Sequence, residues 1–145
     1  MAYHKNTATV TDAELEVLRK YRTQNSLALT AYLDLRSNNL KATAEYLLKD
    51  RLQARLRELG IDNEEQGLLQ EDLELIQIYL NTNGNRKATS IAVFSCAEEL
   101  FWRAYLLPLP VDMHVHIGAE LDLEPLLDVL EQIQCENLTL EIMAG

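Results

Sequence analysis

A chain of 145 residues, 48% hydrophobic and 25% charged, has the composition of a soluble globular protein and the length for one core-bearing domain. No apolar run approaches the roughly 20 residues of a membrane-spanning helix, and the first ten residues lack the apolar stretch of a signal peptide, so the expected location is cytoplasmic. A net charge of −10 argues against nonspecific nucleic-acid binding by the whole surface, and two cysteines, Cys96 and Cys135, are too few for a disulfide framework.

Residues 1–10 read as a flexible lead-in and 11–145 as a single α/β domain. Thr11 with Glu14 three residues later forms a capping box, which predicts a helix running to about residue 25. Residues 26–35 predict a strand. Leu27, Leu29, Ala31, Leu33 and Leu35 fall on one side, and Ala28, Thr30, Tyr32 and Asp34 on the other. Residues 36–39 are turn-like. A long helix follows over 40–59, with Ala44, Leu47, Leu48, Leu52, Leu56 and Leu59 as its apolar stripe. Gly60 suits the helix end.

Residues 61–66 predict a joint, and a second long helix runs to about 81 on Leu68, Leu69, Leu73, Ile76 and Leu80. Two such helices with a short joint predict a hairpin packed on a sheet. Residues 81–89 read as loop. Three strands follow over 90–96, 100–107 and 113–117. A polar joint at 97–99 separates the first two, and Pro108 with Pro110 ends the second. A helix over 123–133 and a last strand over 137–143 complete the order α-β-α-α-β-β-β-α-β.

The expected fold is therefore α/β of the α+β kind. A mixed sheet of four to five strands packs against the long helical hairpin and two further helices. Leu27, Leu29, Leu33, Leu47, Leu52, Leu69, Leu73, Ile76, Val93, Leu126 and Leu130 are expected to share one core. The final strand leaves two readings open: the N-terminal part of a longer protein, or a strand that completes the sheet.

Charge is unevenly placed. Residues 1–59 hold ten Lys/Arg against seven Asp/Glu, whereas 60–145 hold three against sixteen. Lys49, Arg51, Arg55 and Arg57 gather on the first long helix and are the candidate contact for RNA or an acidic partner. Few aromatic residues interleave with them, so the competing reading is a solvated helix face. His114 and His116, two apart on a strand, face one side and are weak candidates for a metal. Two imidazoles leave a tetrahedral site half filled, and Asp112 and Glu120 are the adjacent carboxylates. A polar outer face is the simpler reading, and no metal or other cofactor is expected. Glu98 and Glu99 at the joint read as solvated. Trp102 alternates with its neighbours so as to pack on the helical hairpin, or else to mark a partner surface.

Three stretches carry a family resemblance. They are Ala31-Tyr32-Leu33-Asp34, then Ile91-Ala92-Val93-Phe94-Ser95-Cys96 with the strand ending Leu107-Pro108-Leu109-Pro110, and Leu123-Glu124-Pro125-Leu126-Leu127-Asp128-Val129-Leu130. With the element order, they resemble the N-terminal domain of the archaeo-eukaryotic class-1 release factors, and more closely their bacterial release-factor-like relatives. The resemblance implies a module that, in relatives, places other domains on the ribosome.

True release factors read stop codons with an Asn-Ile-Lys-Ser loop between the two long helices. Here the joint is Gly60-Ile61-Asp62-Asn63-Glu64-Glu65, which is acidic. The Gly-Gly-Gln motif of peptidyl-tRNA hydrolysis is absent from the chain. Neither activity carries over. The function expected is a noncatalytic release-factor-like module in translation or ribosome rescue. Its partner would be the ribosome or a protein, with weak nucleic-acid contact at most. Two alternatives stay open: a self-associating domain that dimerises through a sheet edge, and a small metal-dependent enzyme using the strand histidines.

Overall fold

The computed structural model describes residues 12–36, 40–82, 89–136 and 141–143. For 40–45, 81–82, 134–136 and 141–143 the description is of the backbone alone. The lead-in with His4, the capping Thr11, turn residues 37–39, most of the 81–89 loop and the Cys135 side chain lie outside it.

The elements are α1 (Asp12–Lys20), β1 (Ala28–Asp34), α2 (Leu40–Leu59), α3 (Asn63–Thr82), β2 (Ser90–Cys96), β3 (Phe101–Leu107), β4 (His114–Gly118), α4 (Glu124–Glu136) and β5 (Glu141–Met143). The strands form one sheet in the order β4-β1-β2-β3-β5. The fold is α+β, with the expected order of elements.

Every strand pairing is antiparallel, which corrects the mixed sheet expected above. Helix lengths supply the reason. A single crossover helix returns the chain to the start of its strand and gives a parallel neighbour. Here two helices of 20 residues each stand between β1 and β2. The second undoes the travel of the first, so β2 begins where β1 ended and runs back. A three-residue turn of 3₁₀ helix, Ala97–Glu99, then joins β2 to β3 directly.

The sheet is covered on both faces, and its adjacent interior strands β1 and β2 are buried along nearly their whole length. Edge strand β4 alternates buried and half-buried residues instead. Alternation along β1 sends Leu29, Ala31 and Leu33 to a core with Leu48, Leu52 and Leu56 of α2 and Leu69, Leu73 and Ile76 of α3. Ala28 and Tyr32 face a second core with Leu18 of α1 and Leu126, Val129 and Ile133 of α4. The single core of the sequence reading is thus two cores, because Leu126 and Leu130 lie across the sheet from the others. Leu47 is 39% exposed. At 3.6 residues per turn it sits well off the Leu48–Leu52–Leu56 row, which is the row that packs in the core against the sheet.

Helix α1 stops at Lys20, short of the expected end. Tyr21 instead stacks on Phe101 at 3.9 Å between ring centroids, and Thr23 N–H donates to the Ala119 carbonyl at 3.0 Å. These contacts hold the chain extended where a helix would turn. Asp62 Oδ1 accepts the Glu65 N–H at 2.8 Å and starts α3 inside the expected joint. Gly60, at φ +63°, ends α2 in the left-handed region. Leu100 takes the same region, φ 57°, at the end of the 3₁₀ turn, and its side chain is 94% exposed.

Candidate functional site

The two strand histidines do not act as a pair. His114 Nε2 lies 2.6 Å from Asp122 Oδ2. A carboxylate oxygen only accepts, so Nε2 carries the proton of this bond. The His116 ring instead lies over Gly118, where a Cβ would stand 3.1 Å from His116 Nε2. Among the described residues, no three His, Cys, Asp or Glu side chains converge on a point that could hold a metal ion.

The carboxylate that meets His114 is neither of the two adjacent in sequence. Glu120 turns away to pair with Arg22. Asp122 takes the place because the chain turns between β4 and α4. Its N–H donates to Thr30 Oγ1 at 3.2 Å, and its carbonyl accepts from Tyr32 Oη at 2.7 Å. Its Oδ1 lies 3.3 Å from Glu124 N at the start of α4. Strand β1 therefore fixes the backbone of Asp122, and Asp122 fixes the imidazole. Burial pushes the Tyr32 hydroxyl far above the usual phenol range, so it remains a donor.

Beside this pair opens a cleft of about 420 Å³ between the 108–113 connection, the start of β4 and α4. Pro110, Val111, Met113, Pro125 and Val129 give it apolar walls. Asp112, Asp122, Glu124 and Asp128 give it four carboxyl groups. Among the described residues no serine, threonine or cysteine lines it, so none of them offers His114 a nucleophile to activate.

The basic residues of α2 are split by the helix. Leu48, Leu52 and Leu56 are buried, and at 3.6 residues per turn Lys49 and Arg57 fall on one flank of that row, Arg51 and Arg55 on the other. Arg55 is half-buried and donates to Glu58 at 2.7 Å. Lys49, Arg51 and Arg57 are exposed. Trp102 is half-buried against the hairpin core, edge-on to Tyr79 of α3 at 5.8 Å.

Two carboxylates hold elements together: Asp72, which the sequence reading passed over, and Glu99, which it took as solvated. Asp72, on the inner side of α3, is 1% exposed. It accepts from Ser95 Oγ at 2.5 Å and from the Ala97 N–H at 2.8 Å. Burial outweighs those donors and pushes its carboxyl up to about 6. Glu99, expected to be solvated, accepts from Tyr21 Oη at 2.6 Å and from the Gln24 N–H at 2.7 Å. The Tyr21 hydroxyl, more than the backbone donor, holds it below the usual carboxylate range. The joint between α2 and α3 is acidic as read. Burial, then the nearby Glu98, Asp62 and Glu64, raise Glu65 above the usual range.

Compared with protein-family models and with curated proteins, the chain matches none.

Proposed function

We propose that this chain is a noncatalytic docking module of the release-factor-like kind, serving translation or ribosome rescue. One observation carries the reading: two 20-residue helices stand as a hairpin between β1 and β2, neighbouring interior strands of the sheet. That is the element order on which the resemblance to the release-factor N-terminal domain rests. The chemistry of the hairpin end supports a docking role over codon reading. Asp62, Glu64, Glu65 and Glu98 share one electrostatic neighbourhood there, and phosphate would be repelled.

Any contact with ribosomal RNA falls instead to the exposed cations of α2. Because Arg55 is engaged with Glu58, Lys49 and Arg51 are the residues to reverse. They lie on opposite flanks, so Lys49→Glu and Arg51→Glu made singly report which flank docks. Co-sedimentation with ribosomes at two salt concentrations is the test. Salt-sensitive binding that one reversal abolishes is the expected result. Absence of co-sedimentation at low salt would sink the reading, and binding indifferent to both reversals would remove α2 as the contact.

A second reading, self-association through a sheet edge, is favoured by the place of β4 at the end of the strand order. Light scattering across a concentration series separates it from the first. A purely monomeric chain at high concentration removes it.

A further inference from the structure

We propose that the cleft beside His114 binds an extended basic segment of a protein partner, one that presents an arginine or lysine next to an apolar residue. This stands independently of the docking role above. The cleft is concave, and at about 420 Å³ it falls within the range of roughly 300–1,000 Å³ typical of ligand sites. Its apolar walls fit a hydrocarbon stem, and its acidic rim fits a cationic head.

The charge is uncompensated. Among the described residues, Asp112, Glu124 and Asp128 form no ion pair, and the one basic group lining the cleft, His114, is engaged by Asp122. Arg36 acts on Asp112 from nearby, but its guanidinium is committed to Asp34 at 2.6 Å. The sequence places no Lys or Arg after Arg103, so neither the connection, β4 nor α4 can supply a counterion.

A second feature points to a peptide as the occupant over a free polyamine. His114 opens β4, and β4 is the edge of the sheet. Its outer row of backbone N–H and C=O groups is a template for an added strand. A segment laid along that edge reaches the cleft at His114. Main-chain bonds would hold the segment, and the cleft would select its side chains.

The test uses the full chain and a fluorescent peptide of alternating arginine and leucine, read by anisotropy. The expected result is saturable binding that weakens roughly tenfold or more in Asp112→Asn/Asp128→Asn. Both residues are exposed, so the fold should survive, and circular dichroism checks it. Glu71→Gln/Glu74→Gln removes the same charge from the exposed side of α3 and should leave binding unchanged. The His114 ring resonances should shift on titration with the peptide and stay still with spermine. Absence of binding at millimolar peptide would overturn the proposal. Equal weakening by the α3 control, or an equal His114 shift with spermine, would overturn it too.

Discussion

The two faces of the sheet are built from different chemistry. The face under the α2–α3 hairpin is aliphatic: leucines from both helices meet Leu29, Leu33, Ile91 and Val93. The face under α1 and α4 is aromatic and hydroxylated. Tyr32, Phe94 and Tyr105 lie there in sequence around each other, with centroids about 6.0 and 6.1 Å apart and rings edge-on. Both tyrosines end on polar partners. Tyr32 reaches the Asp122 carbonyl, and Tyr105 donates to Glu14 of α1 at 2.6 Å. The aliphatic face can be packed tightly because its leucine, isoleucine and valine side chains have no polar group to satisfy, Asp72 and Ser95 being the pair that satisfy each other there. On the aromatic face each hydroxyl needs an acceptor, and those acceptors fix α1 and the start of α4 in place. The cleft lies on that second face, where polar groups are already oriented.

The comparison is most sharply broken on the aliphatic face. Leu73→Ala should cost about 2–5 kcal/mol, because the side chain is 2% exposed and a cavity would remain. Urea unfolding reads it. A loss under about half a kcal/mol would show that α3 does not seal this core as described.

The next effect concerns the exception to that dry face, Asp72. Its folded-state pKa of about 6 stands above the unfolded value near 3.9. The folded state therefore binds the proton more tightly, and stability falls as pH rises from about 4 to about 6. Asp72→Asn should keep the acceptor for Ser95 and Ala97 and remove this slope. Wild type should lose on the order of 2–3 kcal/mol relative to the variant across that window. Parallel stability–pH curves for the two proteins would refute the assignment.

On the aromatic face the expected costs are smaller. Tyr105→Phe keeps the ring and removes one hydrogen bond to a partly exposed carboxylate. It should cost roughly 0.5–1.5 kcal/mol, with the loss concentrated in the docking of α1. Hydrogen exchange would show α1 amides losing protection ahead of the sheet. Uniform loss across the sheet would contradict the division drawn here.

The smallest change belongs to neither face. Leu100 holds a left-handed conformation that costs a side-chain-bearing residue about 1–2 kcal/mol. Glycine is freed of that strain but costs roughly 0.5–1 kcal/mol in chain entropy. Leu100→Gly should therefore raise stability by up to about 1 kcal/mol in thermal unfolding. A destabilised variant would mean that the exposed leucine makes contacts beyond those described.

Periodicity made most of this architecture legible. Leu48, Leu52 and Leu56 recur at helical spacing, and β1 separates its two faces residue by residue, so the hairpin and the two faces of β1 could be read before the structure, whereas the strand directions could not. What alternation cannot say is which helix covers which side. Leu126 and Leu130 were placed with Leu29 for that reason. The site was legible only in part. His114 was visible as a chemical group, but its partner depends on a turn that brings Asp122 back against β1. Asp72 with Ser95, and Tyr21 with Glu99, join elements distant in the chain. No local spacing rule reaches across such separations.

The hairpin also sets the order in which the chain can assemble. Strands β2 and β3 are joined by three residues and can pair at little entropic cost. Strand β1 has no near neighbour in sequence: Leu33 waits for Ile91, and Tyr32 for His114. Strand β1 is therefore the last to find its partners, and it does so only once α2 and α3 have folded back on each other. In stopped-flow kinetics Ala104→Gly in β3 should slow folding, whereas Val115→Ala in β4 should mainly speed unfolding. The reverse pattern would place the nucleus at the β1–β4 pair instead.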